Sequence, residues 1–219
     1  MTELTAREIF KTAYENRYTW DSNFPGYTAE VKLQQGSETY TGKICVQPDF
    51  TVEVTGIEDE QIKESIYTQL RDVVTHRKRS TFEKSHSKNE FSFGESDSSS
   101  AVEILVRGDA MGSNYKVRGK EICQVSRVMG RMAFTINTKS SLDTGSGYVS
   151  AAYDVVFRNP ETQEVLRENT FEDTYEKVGD YYLMTRQVIH SLEKGQQLTT
   201  EFNFFNIQLL ELPVAVSLT

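Results

Sequence analysis

The chain has 219 residues and a net charge of −8, from 24 basic and 32 acidic side chains. That balance repels a phosphate backbone and excludes nucleic acid as a general partner. The length suits one β-rich domain of roughly 200–250 residues, burying roughly 70% of its unfolded surface without staples. With only 4 prolines and no long Ser/Gly or charged linker, residues 1–219 read as a single domain.

At the start, Met1-Thr2-Glu3-Leu4-Thr5-Ala6-Arg7-Glu8 has neither the basic start nor the apolar run of a secretory signal. No window approaches the roughly 20 apolar residues of a membrane span, the tail Leu212-Pro213-Val214-Ala215-Val216 included. A cytoplasmic location is therefore expected. Thr5 and Glu8 then form a Thr-x-x-Glu capping box, and Ala6, Ile9, Phe10 and Ala13 share one face, which predicts a helix ending near Asn16. The aromatic stretch Tyr18 to Tyr27, with Trp20 and Phe24, reads as a pocket mouth or as a staple between helix and first strand.

Alternation follows. Tyr27, Ala29, Val31 and Leu33, then Tyr40, Gly42, Ile44 and Val46, then Phe50, Val52 and Val54, each fall on one side of a strand. A second helix runs from about Glu58 to Lys78, with Ile62, Ile66, Leu70, Val73 and Val74 as its apolar stripe. Acidic residues open it and His76-Arg77-Lys78-Arg79 close it, as the helix dipole favours. Period-two runs resume after it at Phe91 and Phe93 and, beyond a hairpin loop at Gly94-Glu95-Ser96-Asp97-Ser98-Ser99-Ser100, continue at Val102 to Val106, Met132 to Ile136 and Val149 to Phe157. Tyr181-Tyr182-Leu183-Met184 and Phe202, Phe204, Phe205, Ile207 and Leu209 carry large apolar groups on both faces. Such strands need cover on both sides. The fold class is thus mainly β (α+β): a single curved antiparallel sheet of roughly ten or eleven strands forming an incomplete barrel, with two helices at its mouth or concave face.

Several chemistries lack their signatures. No phosphate-cradling glycine loop, H-E-x-x-H, C-x-x-C or G-x-S-x-G is present, so no metal, cofactor or catalytic residue is assigned. Cys45 and Cys123 fit no metal spacing and read as reduced thiols. Asp143-Thr144-Gly145 matches the aspartic-protease tripeptide, but that chemistry needs two carboxylates; a lone copy among Ser and Gly reads as a turn. His76, His86 and His190 stand far apart with no supporting ligand spacing and read as structural.

Specific stretches carry a resemblance. Glu15-Asn16-Arg17-Tyr18-Thr19-Trp20, Val52-Glu53-Val54-Thr55-Gly56-Ile57, Val74-Thr75-His76-Arg77-Lys78-Arg79, Asp109-Ala110-Met111-Gly112-Ser113-Asn114-Tyr115, Phe171-Glu172-Asp173-Thr174-Tyr175 and Thr185-Arg186-Gln187-Val188-Ile189-His190 resemble a family of uncharacterised proteins from cyanobacteria and chloroplasts. The order helix, three strands, helix, long meander is similar to the LolA/LolB lipoprotein-carrier superfamily. So is the final hairpin from Tyr181 to Ile207. That resemblance implies an open barrel with an apolar cavity, and no catalytic residues.

Three readings follow. The first is a binding or carrier protein holding an apolar ligand, a lipid or pigment, in the concave face. Its candidate contacts are Trp20, Phe24, Met132, Phe134, Tyr153, Tyr182, Met184 and Phe205, with His76, Arg77, Arg79, Arg127 and Arg131 for an anionic group. The second is an interaction or assembly protein of the photosynthetic cell, working on a protein partner through its surface. The third is a pocket enzyme of isomerase or lyase type, drawing on Asp154, Glu172, Arg127, Arg131 or His190.

Overall fold

The computed structural model describes residues 4–95, 100–108 and 113–211. Residues 96–99 of the expected hairpin loop, 109–112 of one family-like stretch and the apolar tail 212–216 lie outside them.

The strands are β1 (Tyr27–Gln35), β2 (Glu38–Val46), β3 (Val52–Thr55), β4 (Glu90–Phe93), β5 (Val102–Arg107), β6 (Ser113–Arg118), β7 (Glu121–Met129), β8 (Met132–Asp143), β9 (Tyr148–Arg158), β10 (Val165–Val178), β11 (Tyr181–Glu193) and β12 (Gln196–Leu209). The helices are α1 (Ala6–Glu15), α2 (Glu60–Arg77) and α3 (Phe82–His86). All twelve strands belong to one antiparallel sheet in the order β3-β2-β1-β12-β11-β10-β9-β8-β7-β6-β5-β4, whose end strands β3 and β4 do not close on each other. The mainly β class with one curved, open sheet is therefore as expected, with twelve strands and a third, short helix.

The chain packs as two compact units. The first takes Met1–Tyr18, Ser80–Asp173 and Val188–Thr199; the second takes Thr19–Arg79, Thr174–Gln187 and Thr200–Thr219. In the first, the Thr5 hydroxyl accepts from the Glu8 amide and the Glu8 carboxylate accepts from the Thr5 amide, so the capping box starts α1 as read. The bond from the Thr5 amide first, and then one that the Thr5 hydroxyl donates at 2.8 Å, hold the Glu8 carboxyl below its usual range. α1 lays Phe10 against Tyr115 and Phe91, and Phe82 of α3 completes a buried cluster with Ile104, Val106 and Val117.

In the second unit, α2 packs on β3 and buries Ile66, Leu70, Val73 and Val74. Opposing core residues are Tyr27, Ala29, Val31 and Leu33 of β1, at 5% exposure or less, while Lys32 and Gln34 of the alternate set face water. Two details here differ from the alternation pattern. Phe50 is not in a strand: it turns at φ 73° ahead of β3, and its ring lies parallel to those of Trp20 and Phe24. β12 is not apolar on both faces. Glu30 pairs with Phe205 but Thr28 with Gln208, so β12 carries one extra residue, and Asn206 sits there at φ 52°. The bulge switches which parity faces the core. Phe202 and Phe204 are buried before it, and Phe205 alone points away, 41% exposed. β11 does bury both of its faces, through adjacent Leu183 and Met184.

Candidate functional site

The site is read from cross-strand registers within the first unit. Residues paired across an antiparallel ladder share a face. One row runs Arg127, Phe134, Phe157, Arg167 across β7, β8, β9 and β10. A parallel row runs Val125, Ile136, Val155, Asn169, and a third runs Thr138, Tyr153, Phe171. The rows interleaved with these belong to the opposite face, where Gln124, Asn137, Asp154 and Thr170 line up. There Gln124 donates to Asn137 at 2.7 Å, Thr170 donates to Asp154 at 2.8 Å, and Lys139 pairs with Asp154 at 2.7 Å. Across β7 to β10 the sheet thus has one aromatic-rich face and one largely polar face whose side chains bond one another.

On the aromatic face α1 packs over β4, β6 and β7. On β8 to β10, Phe134, Ile136, Tyr153, Phe157 and Phe171 remain half-buried. Tyr153 stacks on Phe171 with ring centroids 4.6 Å apart, and Phe134 meets Phe157 at 6.4 Å. These rings form a preorganised apolar platform of the kind that takes an apolar ligand.

Two guanidiniums bracket that platform. Arg127 donates to the Ser113 hydroxyl at 2.9 Å and to the Tyr115 hydroxyl at 3.1 Å. Arg167 lies over the Phe157 ring, 4.3 Å from its centroid. No carboxylate pairs with either among the described residues. The buried Nε of Arg167 and Oδ1 of Asn169, two residues on along the same face, have no hydrogen-bond partner.

The candidate contacts are divided between the units. Phe134, Tyr153 and Arg127 come together on the aromatic face. Met132 shares their alternation at the strand end and is 41% exposed. Trp20 and Phe24 are packed in the second unit at 1% exposure, stacked 4.1 Å apart, with the Trp20 indole donating to the Tyr182 carbonyl at 3.3 Å. There they staple the chain to the end of α2, since the Trp20 amide donates to the Arg77 carbonyl. Met184 is also buried in that unit. Arg77 donates to the Tyr175 hydroxyl at 3.0 Å, and His76, Arg79 and Arg131 are exposed. Phe157, Phe171 and Arg167 were missed, although their alternation with Val155 and Asn169 was a usable signal.

Other candidates resolve into local structure. Asp143-Thr144-Gly145 is a turn: Asp143 accepts from the Gly145 amide at 2.8 Å and the Thr144 hydroxyl donates to the Gly147 carbonyl at 2.8 Å. Burial alone would raise the Asp154 carboxyl, but the bonds from Lys139 and Thr170 carry it below the usual range. His190, exposed toward the end of β11, bonds Thr199 at 2.9 Å. Cys45 and Cys123 are free thiols, and burial, with Glu53 nearby, pushes Cys45 up, away from the reactive thiolate. Among the described residues no group of three His, Cys, Asp or Glu could hold a metal ion, and no helix is long and apolar enough to cross a membrane.

The model of one family, described as "Protein of unknown function (DUF3386)", matches residues 1–210. No curated protein matches the chain. Among solved structures, the chain is similar to a DUF1329 family protein from Desulfovibrio piger at 11% identity, covering 99% of this chain and 96% of that one, with a TM-score of 0.31. A domain assigned to outer membrane lipoprotein sorting in Vibrio parahaemolyticus is 10% identical over 93% of this chain and 91% of that one, at a TM-score of 0.27. A chain of the Pseudomonas aeruginosa MucA/MucB complex is 10% identical over 94% and 99%, at 0.24.

Proposed function

The chain belongs to the DUF3386 family, and we propose that it serves there as a binding or carrier protein that holds an apolar ligand, a lipid or pigment, on the aromatic face of β8 to β10. One observation carries the reading: five large apolar side chains, Phe134, Ile136, Tyr153, Phe157 and Phe171, lie side by side on one sheet face and none is fully buried. Water on so much apolar surface is unfavourable by about 25 cal/mol per Å², and an apolar ligand removes it. The polar reverse face offers no such gain. The location proposed is the cytoplasm, which subcellular fractionation checks.

The test is direct. The purified full chain is titrated with Nile red, a neutral dye whose emission shifts in apolar surroundings, and is separately extracted for bound lipid. Saturable dye binding, weakened severalfold by Phe134→Ser or Tyr153→Ser and unchanged by Phe205→Ser, is the expected result. Absence of both dye binding and extractable ligand overturns the reading.

A second reading, contact with a protein partner through the surface, has its own support. The β7–β8 hairpin end exposes Val128, Met129 and Met132, the β9–β10 end exposes Val165 and Leu166, and the β11–β12 end exposes Leu192 and Leu198. In an antiparallel meander these three hairpins share one end of the sheet.

A further inference from the structure

The row Arg127, Phe134, Phe157, Arg167 says more about the ligand than that it is apolar. We infer that the site takes an amphiphile whose polar end is an oxyanion, a carboxylate or phosphate, received by Arg167 while the apolar body lies over Phe157, Phe134 and Ile136. The inference rests on the aromatic face being a ligand site, as proposed above.

A guanidinium withdrawn from water is costly unless its donors are met. Stacking on Phe157 satisfies the face of the Arg167 group and leaves its in-plane donors unspent, with Nε buried and unpartnered. Arg127 shows the contrast: it spends donors on two neutral hydroxyls of β6. Neither cation has a carboxylate counterpart, in a chain with 8 more acidic than basic residues. The complement to a stacked guanidinium with a free edge is a planar or tetrahedral oxyanion bound side-on. Asn169, whose amide oxygen is buried without a donor, lies two residues along the same strand face and suits a hydroxyl beside that anion.

There is also room for the head. Arg167 lines an open cleft of about 540 Å³ with Ser191, Glu193, Lys194, Gln196 and Leu198. Lys194 adds a second cation at its rim and Glu193 a carboxylate, so a head of modest charge is accommodated rather than a polyanion.

The experiment compares hexadecanoate, hexadecyl phosphate and hexadecanol, below their aggregation limits, by displacement of Nile red from the full chain and from Arg167→Gln, Arg167→Lys and Arg79→Gln. Folding of each variant is checked by its circular dichroism and melting. Wild type is expected to prefer at least one anion over the alcohol by about tenfold. Arg167→Gln should erase that preference without weakening the alcohol. Arg167→Lys should restore only part of it, and Arg79→Gln none of it should disturb. Preference for the carboxylate or for the phosphate identifies which head is read. If the alcohol binds as well as both anions, or if Arg167→Gln leaves the preference intact, the head-group inference is overturned while the apolar face stands. If none of the three displaces the dye and the dye itself does not bind, the apolar-face reading falls as well.

Discussion

His86 sits among the rings of Phe10, Tyr14, Phe82 and Phe91, with centroids 4.8 to 6.2 Å away. Its Nδ1 meets the Asn89 side-chain amide at 2.9 Å. Burial first, then the charges of Arg17, Arg127 and Arg7, drive its pKa from 6.5 down to about 4. The unfolded chain therefore binds more protons than the folded one between these values, and the sign follows. The contribution is complete above pH 6.5 and is lost as pH falls toward 4. Melting temperatures measured at pH 7 and pH 4.5 should fall less for His86→Phe than for wild type. Parallel falls would show that His86 is not the titrating group. The same residues explain why this histidine was legible as structural but not as a core member: nothing local in Glu83-Lys84-Ser85-His86 says that three aromatics from α1 and β4 will join Phe82 around it.

At the scale of elements, two backbone hydrogen bonds join the end of α1 and the residues after it to the start of β9. The Tyr148 amide donates to the Asn16 carbonyl at 2.9 Å and the Tyr18 amide to the Tyr148 carbonyl at 2.8 Å. Gly147 precedes this joint at φ 134°, where a Cβ would stand 2.6 Å from the Asn16 oxygen. Gly147→Ala should cost about 2 kcal/mol or more, read as a lower denaturant midpoint with an unchanged slope. An unchanged midpoint would mean that the joint is not load-sharing. Elements whose signal is local were legible in advance: the capping box of α1, the charge-ordered ends of α2, and the alternation of β1 and β9. α3 was not, because a single turn of Phe82–His86 is too short to show helical period and is fixed by Thr81 accepting from the Lys84 amide. The bulge in β12 was not legible either, because parity there is set by pairing with β1 and not by the β12 residues themselves. The site shares this fate. Phe134 and Tyr153 could be chosen from alternation. Their row with Phe157 and Arg167 depends on the registers of two separate hairpins, with shifts at Ser140 and Val165 that no local pattern encodes.

For the molecule as a whole, charge and topology divide the labour. The surplus of acidic side chains makes the chain net negative, while Arg127 and Arg167, without a carboxylate partner among the described residues, mark one face of the first unit as positive at short range. β10, β11 and β12 contribute residues to both compact units, so no break in composition separates them in sequence. In the second unit Trp20 and Phe24 of the aromatic stretch are consumed by packing. The central claim, that an apolar molecule lies on the face of β8 to β10, is tested most directly by photolysis of the full chain with a hexadecanoic acid bearing a diazirine on its alkyl chain. Adducts are then mapped by peptide mass spectrometry. The account predicts saturable adducts within residues 132–171, suppressed by excess unlabelled acid. Adducts confined to residues 19–79, or scattered labelling that excess acid does not suppress, would contradict it.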